Sequence, residues 1–249
     1  MSTVRDRLFT VALAKGLRET TITSYLRFFN QMGISDLEDP SLEVITEALW
    51  TLDNPNTRRS ATIAVRSVLG HQIKIPKGIP RRYELPDEDT LRLALMTSPH
   101  ETRGLLMMYG GLRIGEACAT QSSDVRGDRL TVARQVVEVF KTGQPTVRRI
   151  GPVKTSADSV VIPHWLSPRI STLGDPVSPM SVRESLRRAG VKVGIRLNPH
   201  LLRHWHATEL INRGVPLALV SQQMRHSDIS ITLATYQQYS DDDIHKAFG

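Results

Sequence analysis

The chain has 249 residues, with 32 Lys and Arg against 25 Asp and Glu, and its formal net charge of +7 favours acidic partners. Hydrophobic residues make up 40% and charged residues 23%, which is typical of a folded globular protein and excludes wholesale disorder. A single cysteine, Cys118, excludes an internal disulfide, and no apolar stretch approaches the roughly 20 residues that a bilayer span needs. We therefore expect a soluble, cytoplasmic protein with no membrane partner.

Four short helices are predicted in residues 1–75. Apolar residues recur at helical spacing in the first two, which end at Gly16 and Gly33. The third is predicted to begin with Asp39 as its cap and Pro40 in its first turn. We expect these helices to form a small domain of their own.

The fourth helix follows Asn56 and carries three arginines, Arg58, Arg59 and Arg66, beside apolar residues. This amphipathic pattern indicates either a basic face that lies along a phosphate backbone or an ordinary solvent-exposed face.

Residues 76–85 combine prolines, a glycine and cations, a composition that predicts an extended basic linker. We therefore expect two domains, one at residues 1–75 and the other at residues 86–249. The cations of the linker join the three arginines as candidates for contact with a DNA backbone: Lys77, Arg81 and Arg82.

The second domain is predicted to contain both helices and strands. Runs rich in β-branched residues at 130–139, 147–153 and 160–163 predict a small antiparallel sheet, and helices resume near Ser178.

Positive charge is concentrated inside the chain. Residues 126–203 contain 14 basic and 5 acidic side chains, whereas residues 204–249 contain 3 and 5. A basic segment within a folded region indicates a surface that meets a polyanion, although a solvated basic face gives the same pattern.

Gly110 and Gly111 interrupt a helical pattern, so Arg113 falls where a loop meets the next helix. Free amides at a helix start and a guanidinium group both favour a phosphate, and Glu116, one turn further on, could orient the cation. A surface pair between Arg113 and Glu116 fits the same spacing.

Asn198 and Pro199 predict a helix start, which puts His200 and Arg203 on one face of the first turn. Backbone donors and the helix dipole converge there, which favours a functional role. His200 and His204 have metal-ligand spacing, but the sequence offers no obvious third ligand and Arg203 would repel a cation. We therefore expect no metal.

A further helix ends at Arg225 and His226, and Asp228 is predicted to cap a last helix that carries Tyr236. The apolar spacing of that helix indicates a partly buried ring with its hydroxyl at a rim. An ordinary core tyrosine is the alternative.

These segments together resemble the tyrosine recombinases, or phage integrase family. The resemblance is carried by the Gly-Leu-Arg-Ile-Gly-Glu, His-x-x-Arg-His and His-Ser-Asp-Ile runs and by a lysine that matches the family's β-hairpin lysine. Lys141 is the alternative to that lysine, Tyr239 is a second tyrosine near the first, and Arg225 stands where many members have glycine. The residues that match the catalytic set are Arg113, Lys154, His200, Arg203, His226 and Tyr236.

The resemblance implies a mainly α-helical fold with a small antiparallel β-sheet. A helical core-binding domain and an α+β catalytic domain would form a C-shaped clamp on DNA. It also implies a site-specific DNA recombinase that works through a 3′-phosphotyrosyl intermediate on Tyr236, with Lys154 as the general acid, Glu116 as support and no cofactor. Duplex DNA attachment sites, a homotetramer on DNA and an accessory directionality factor are the implied partners.

Two other interpretations stay open. A non-catalytic DNA-binding regulator would keep the clamp without the chemistry, and a type IB topoisomerase-like enzyme would share the chemistry without joining two sites. The chain is expected to be a compact member without an arm-binding domain, and its tail, residues 239–249, to pack either on its own subunit or on a neighbour.

Overall fold

The computed structural model describes residues 2–79, 85–139, 147–153 and 157–225. The described chain divides into two compact units, the first formed by the residues up to Ile79 and the second by nearly all later ones. Within these ranges no helix is both long enough and apolar enough to cross a membrane.

The first unit is helical, and its elements are α1 (Val4–Lys15), α2 (Glu19–Gln31), α3 (Leu42–Trp50) and α4 (Pro55–Leu69). The helix α4 packs against the other three, and the core between them buries Leu8, Phe29, Ile45 and Val65 completely. The hydroxyl of Thr3 caps the start of α1, as expected for a helix that begins beside a polar side chain.

The predicted start of the third helix was wrong. Ser41, not Asp39, is the N-cap of α3, and its hydroxyl accepts a hydrogen bond from the backbone of Val44. Asp39 has a left-handed backbone with φ of 43°, so the chain turns there before the helix begins. Pro40 therefore precedes the cap and takes no part in the first turn.

The chain that follows α4 runs back along it. Asn56 donates to the carbonyl of Ile79 and accepts from its amide, at 3.0 and 2.9 Å. Arg59 donates to the carbonyl of Pro76 at 2.7 Å. The first part of the predicted linker is thus hydrogen-bonded to the helical unit.

The other described helices belong to the second unit: α5 (Glu88–Met96), α6 (Glu101–Tyr109), α7 (Ile114–Ala119), α8 (Ser167–Ile170), α9 (Pro179–Lys192), α10 (Pro199–Asn212) and α11 (Leu217–Gln223). Its strands are β1 (Val125–Arg126), β2 (Arg129–Val132), β3 (Arg134–Val139), β4 (Val147–Pro152) and β5 (Asp158–Val161). The helix α10 packs along α6, and their contact buries Leu106, Leu202 and Trp205.

The described strands form two small sheets where the sequence predicted one. The strand β2 lies between β1 and β5, both antiparallel to it, and Leu130 is opposite Val160. The predicted run 130–139 is broken at Ala133, and β3 pairs with β4 instead.

A side chain of α11 connects that helix to the first of these sheets. The amide of Gln223 accepts from the backbone N–H of Val161 and donates to its carbonyl, at 3.1 and 2.7 Å. Because both groups lie on the edge of β5, Gln223 pairs as a strand residue would. The end of α11 is therefore fixed against the sheet.

Candidate active site

The loop between α6 and α7 approaches α10 so closely that only glycine fits. Gly111 has φ of +63°, and a Cβ atom there would lie 2.7 Å from the His206 ring and 2.9 Å from the Met224 sulfur. Gly110 is also crowded, since its Cβ atom would lie 2.9 Å from the Leu106 carbonyl oxygen. The two glycines therefore let the loop pack closely against α10.

Arg113 is the N-cap residue of α7, as the sequence predicted for the junction of loop and helix. Its backbone N–H donates to Glu116 Oε2 at 2.7 Å, and its guanidinium donates to Glu116 Oε1 at 3.1 Å. The Glu116 side chain is 1% exposed and that of Arg113 is 32% exposed. The pair is therefore a half-buried arginine held by a buried carboxylate, and not the ordinary surface pair.

Arg203 is buried one turn into α10 and connects two loops. Its guanidinium donates to the carbonyl of Gly111 and to the carbonyl of Met224. The Asn198 side chain caps the helix by accepting from the amides of His200 and Leu201, both at 3.0 Å. The predicted cap thus sets where Arg203 lies.

His200 lies on the exposed side of the first turn of α10, while His204 is half-buried. Burial, followed by the charge of His200, lowers the pKa of His204. The described residues hold no group of three or more His, Cys, Asp or Glu side chains that could bind a metal ion.

His206 lies beneath the glycine loop and was missed as a site residue. Its Nδ1 is 3.1 Å from the Met108 carbonyl, and its Nε2 is buried without a hydrogen-bond partner among the described residues. Burial lowers the pKa of His206 to about 4. The ring is therefore neutral near pH 7 and serves to pack the loop that carries Arg113.

Arg225 is the second residue whose role sequence reasoning missed. It has a left-handed backbone with φ of 50°, and its side chain is only 2% exposed. Its guanidinium pairs with Glu116, and its carbonyl accepts a hydrogen bond of 3.3 Å from the Arg113 guanidinium. The sequence did offer a signal for this role: Arg225 stands where many members of the family that the sequence resembles have glycine.

Three guanidinium groups and one carboxylate therefore meet around the start of α10: Arg113, Arg203, Arg225 and Glu116, which we call the arginine cluster. The cluster sets three guanidinium groups against the Glu116 carboxylate, and the carboxylate of Asp158 also acts on the charge of Arg225. Among the described residues, the guanidinium groups of this partly buried site still outnumber the carboxylates. Such an arrangement favours an anion with several oxygens, such as a phosphate.

Half of the predicted catalytic set can be placed. Arg113, His200 and Arg203 lie where α7 and α10 begin, whereas the other predicted residues lie outside the described residues: Lys154 and its alternative Lys141, His226, Tyr236, Tyr239 and the tail. His226 directly follows Arg225 in the chain.

The arginines predicted to line the DNA backbone are engaged within the first unit. Arg58 stacks on Trp50 at 4.2 Å and donates to the carbonyl of Leu52 at 2.8 Å. Arg66 donates to the Gln72 side chain at 3.2 Å, and Arg59 holds the Pro76 carbonyl. Lys77 is exposed, and Arg81 and Arg82 lie outside the described residues.

The chain is similar in sequence to a known protein family and to characterised relatives. The model of the phage integrase family matches residues 85–242. The tyrosine recombinase XerA of Pyrococcus horikoshii is 26% identical over 238 residues, covering 91% of this chain and 80% of the relative.

Two solved structures share the fold. The Tn1549 transposon integrase in complex with transposon right end DNA has a TM-score of 0.75 at 16% identity, covering 98% of each chain. A lambda integrase dimer bound to a COC′ core site has a TM-score of 0.63 at 19% identity, covering 92% of this chain and 95% of that one.

The fold is that of the tyrosine recombinases, and the chain is a tyrosine site-specific recombinase. It belongs to the phage integrase family, whose model matches more than half of its length. The fold class and the class of enzyme predicted from the sequence are thus confirmed.

Proposed function

We propose that this recombinase cleaves and rejoins duplex DNA through a 3′-phosphotyrosyl link formed by Tyr236. The phenol of Tyr236 releases its proton as its oxygen bonds to the scissile phosphorus; the bond from phosphorus to the 5′ oxygen breaks, and that oxygen takes a proton from Lys154. One phosphodiester is exchanged for another, so a 5′-hydroxyl of a second DNA strand reverses the step. Rejoining then needs neither ATP nor a divalent cation.

The barrier to this attack is mainly electrostatic, because negative charge grows on the phosphate oxygens in the transition state. Arg113 and Arg203 are proposed to bind these oxygens, with His200 and His226 as further donors. Donors of this kind are worth on the order of 3 to 4 kcal/mol each in an enclosed site. Glu116 supports Arg113 from behind.

The hydrogen bonds of Arg113 and Arg203 to the backbone before His226 are the main support for this proposal. Arg113 and Arg203 donate to the carbonyls of Arg225 and Met224, two consecutive residues directly before His226. The two proposed phosphate-binding arginines are thereby connected to the backbone that leads to His226 and Tyr236. This connection supports a single site made from segments far apart in the chain.

Duplex DNA is the proposed substrate. The Tn1549 and lambda integrases, which share this fold, were both solved with DNA, and the excess of basic residues at 126–203 supports the same partner here. The helical unit is proposed to bind the opposite side of the duplex and so to complete a C-shaped clamp, with Lys77, Arg81 and Arg82 near the backbone.

Exchange of two duplexes requires four cleavages, so a homotetramer on two attachment sites is proposed. The tail is proposed to pack on its own or a neighbouring subunit, and an accessory factor to set the direction. The reaction is proposed to take place in the cytoplasm.

The test begins with recombination junctions sequenced from a host that expresses the protein, which define the site. A duplex of that site, nicked near the scissile phosphate, should then give an SDS-resistant protein-DNA adduct in EDTA. Tyr236→Phe should abolish the adduct, and Tyr239→Phe should leave it. An adduct that survives in Tyr236→Phe, or one that requires a divalent cation, would contradict the proposal.

A further inference from the structure

Arg225 occupies a backbone conformation that suits glycine better. Its φ of 50° is left-handed, a conformation that crowds the Cβ atom of any L-residue. The sequence nevertheless has arginine at this position and not glycine. Its side chain is also almost completely buried. Both the left-handed backbone and the burial of a charged side chain cost free energy. We therefore expect the contacts of Arg225 to offset these two costs.

These contacts form a closed set with Glu116 and Arg113. Arg225 donates through Nη2 to Glu116 Oε2, which also accepts the backbone N–H of Arg113. In return, the Arg113 guanidinium donates to the Arg225 carbonyl at 3.3 Å. Each of the three residues therefore contacts the other two.

Burial makes this set sensitive to the loss of one member. The Glu116 and Arg225 side chains are 1% and 2% exposed, so solvation by water stabilises neither charge appreciably. Without Arg225, one oxygen of Glu116 would lose its guanidinium partner, and Glu116 would hold Arg113 less firmly. Arg113 is 32% exposed and is the member of the set that can reach a phosphate.

We propose that Arg225 is a positioning residue of this recombinase: through Glu116 and through its own carbonyl, it holds the Arg113 guanidinium for the scissile phosphate. The inference rests on the proposed function. It assigns a role to a residue at which this chain departs from the family pattern. Nε and Nη1 of Arg225 have no hydrogen-bond partner among the described residues, so the described hydrogen bond of its side chain goes to Glu116.

The test compares Arg225→Gly, Arg225→Lys and the wild type. Glycine removes the cation and accepts the left-handed backbone, whereas lysine keeps the charge. Adduct formation on the nicked duplex is measured in a single turnover at saturating DNA, and the Kd for DNA is measured separately.

Arg225→Gly should bind DNA within about twofold of the wild type but form adduct at least about tenfold more slowly, since positioning acts on the transition state. Arg225→Lys should recover part of that rate. The Glu116→Gln, Arg225→Gly double variant should be no slower than the slower single variant, because both act through one carboxylate. An Arg225→Gly enzyme as fast as the wild type, or rate losses that multiply in the double variant, would overturn the proposal.

A readout independent of activity separates this inference from the proposed function. Urea unfolding of the wild type, Glu116→Gln, Arg225→Met and the corresponding double variant measures the coupling free energy between the two side chains. Methionine has a Cβ atom in the same left-handed backbone and fills most of the same volume, but it carries no charge. The losses of unfolding free energy in the two single variants should be strongly non-additive in the double variant. Additive losses would overturn the pairing of Arg225 with Glu116. A wild type that forms no adduct, with this coupling intact, would contradict the proposed function alone.

Discussion

Arg113 and Arg203 lie far apart in the sequence, yet they donate to the carbonyls of two adjacent residues, Arg225 and Met224. Each guanidinium is thereby oriented by the backbone at the end of α11, and not by side chains alone. Because backbone carbonyls at a packed helix end move little, the two cations are held before any substrate binds.

Arg203→Ala should slow adduct formation at least about a hundredfold, since one phosphate donor is lost. It should also destabilise the fold by about 1 to 3 kcal/mol, because the buried carbonyls of Gly111 and Met224 lose their donor. Single-turnover cleavage and urea unfolding measure the two effects. Arg213→Ala, an exposed arginine at the end of α10, is the control and should retain cleavage within about twofold.

Gly111→Ala should be more damaging than Gly127→Ala, although the two glycines have nearly the same φ, +63° and +62°. Both variants should lose about 1 to 2 kcal/mol to the left-handed backbone. Only at Gly111 would the new methyl group collide with His206 and Met224, which should cost about 1 to 3 kcal/mol more. Equal losses of unfolding free energy would refute the close approach of the loop to α10.

Stability should fall as the pH falls from 6.5 towards 4, because His206 is neutral in the folded state. Its pKa is about 4 when folded and 6.5 when not, so only the unfolded chain gains a proton in this window. The loss should reach about 2 to 3 kcal/mol for this residue. His206→Asn keeps a donor for the Met108 carbonyl and should flatten this part of the profile. An unchanged pH dependence in that variant would assign the effect elsewhere.

Lys77→Ala and Arg58→Ala should separate DNA contact from folding. Lys77 is exposed, so its removal should leave the melting temperature unchanged and lower the slope of log Kd against log salt by about 1. Arg58 stacks on Trp50 and holds the Leu52 carbonyl, so its removal should lower the melting temperature. A salt slope that responds to Arg58→Ala alone would reverse these assignments.

Local signals predicted several of the described helix ends. Two other predictions were wrong, because α4 begins at Pro55, capped by Asn54, and not after Asn56, and α11 ends at Gln223, before Arg225. Asn198 and Pro199 begin α10 and Gly16 ends α1, since each of these signals depends on neighbouring residues only. The miss at Asp39 has a local cause too, because two residues able to cap lie close together and the chain used the later one.

Features set by distant contacts were not predictable in the same way. The break at Ala133 arises because the two halves of one β-branched run find different partner strands. The burial of Arg225 against Glu116 depends on bringing the residues that follow α11 beside α7, which spacing alone does not reveal. The family motifs identified Arg113, His200 and Arg203 as candidates but gave no role to Arg225 or His206.

Peptide mapping of the adduct tests the central proposal most directly. The protein is trapped on the nicked duplex, digested with nuclease and protease, and analysed by mass spectrometry for the peptide that retains a nucleotide. We expect a 3′-linked nucleotide on Tyr236. A nucleotide on Tyr239 or on any other side chain would contradict it.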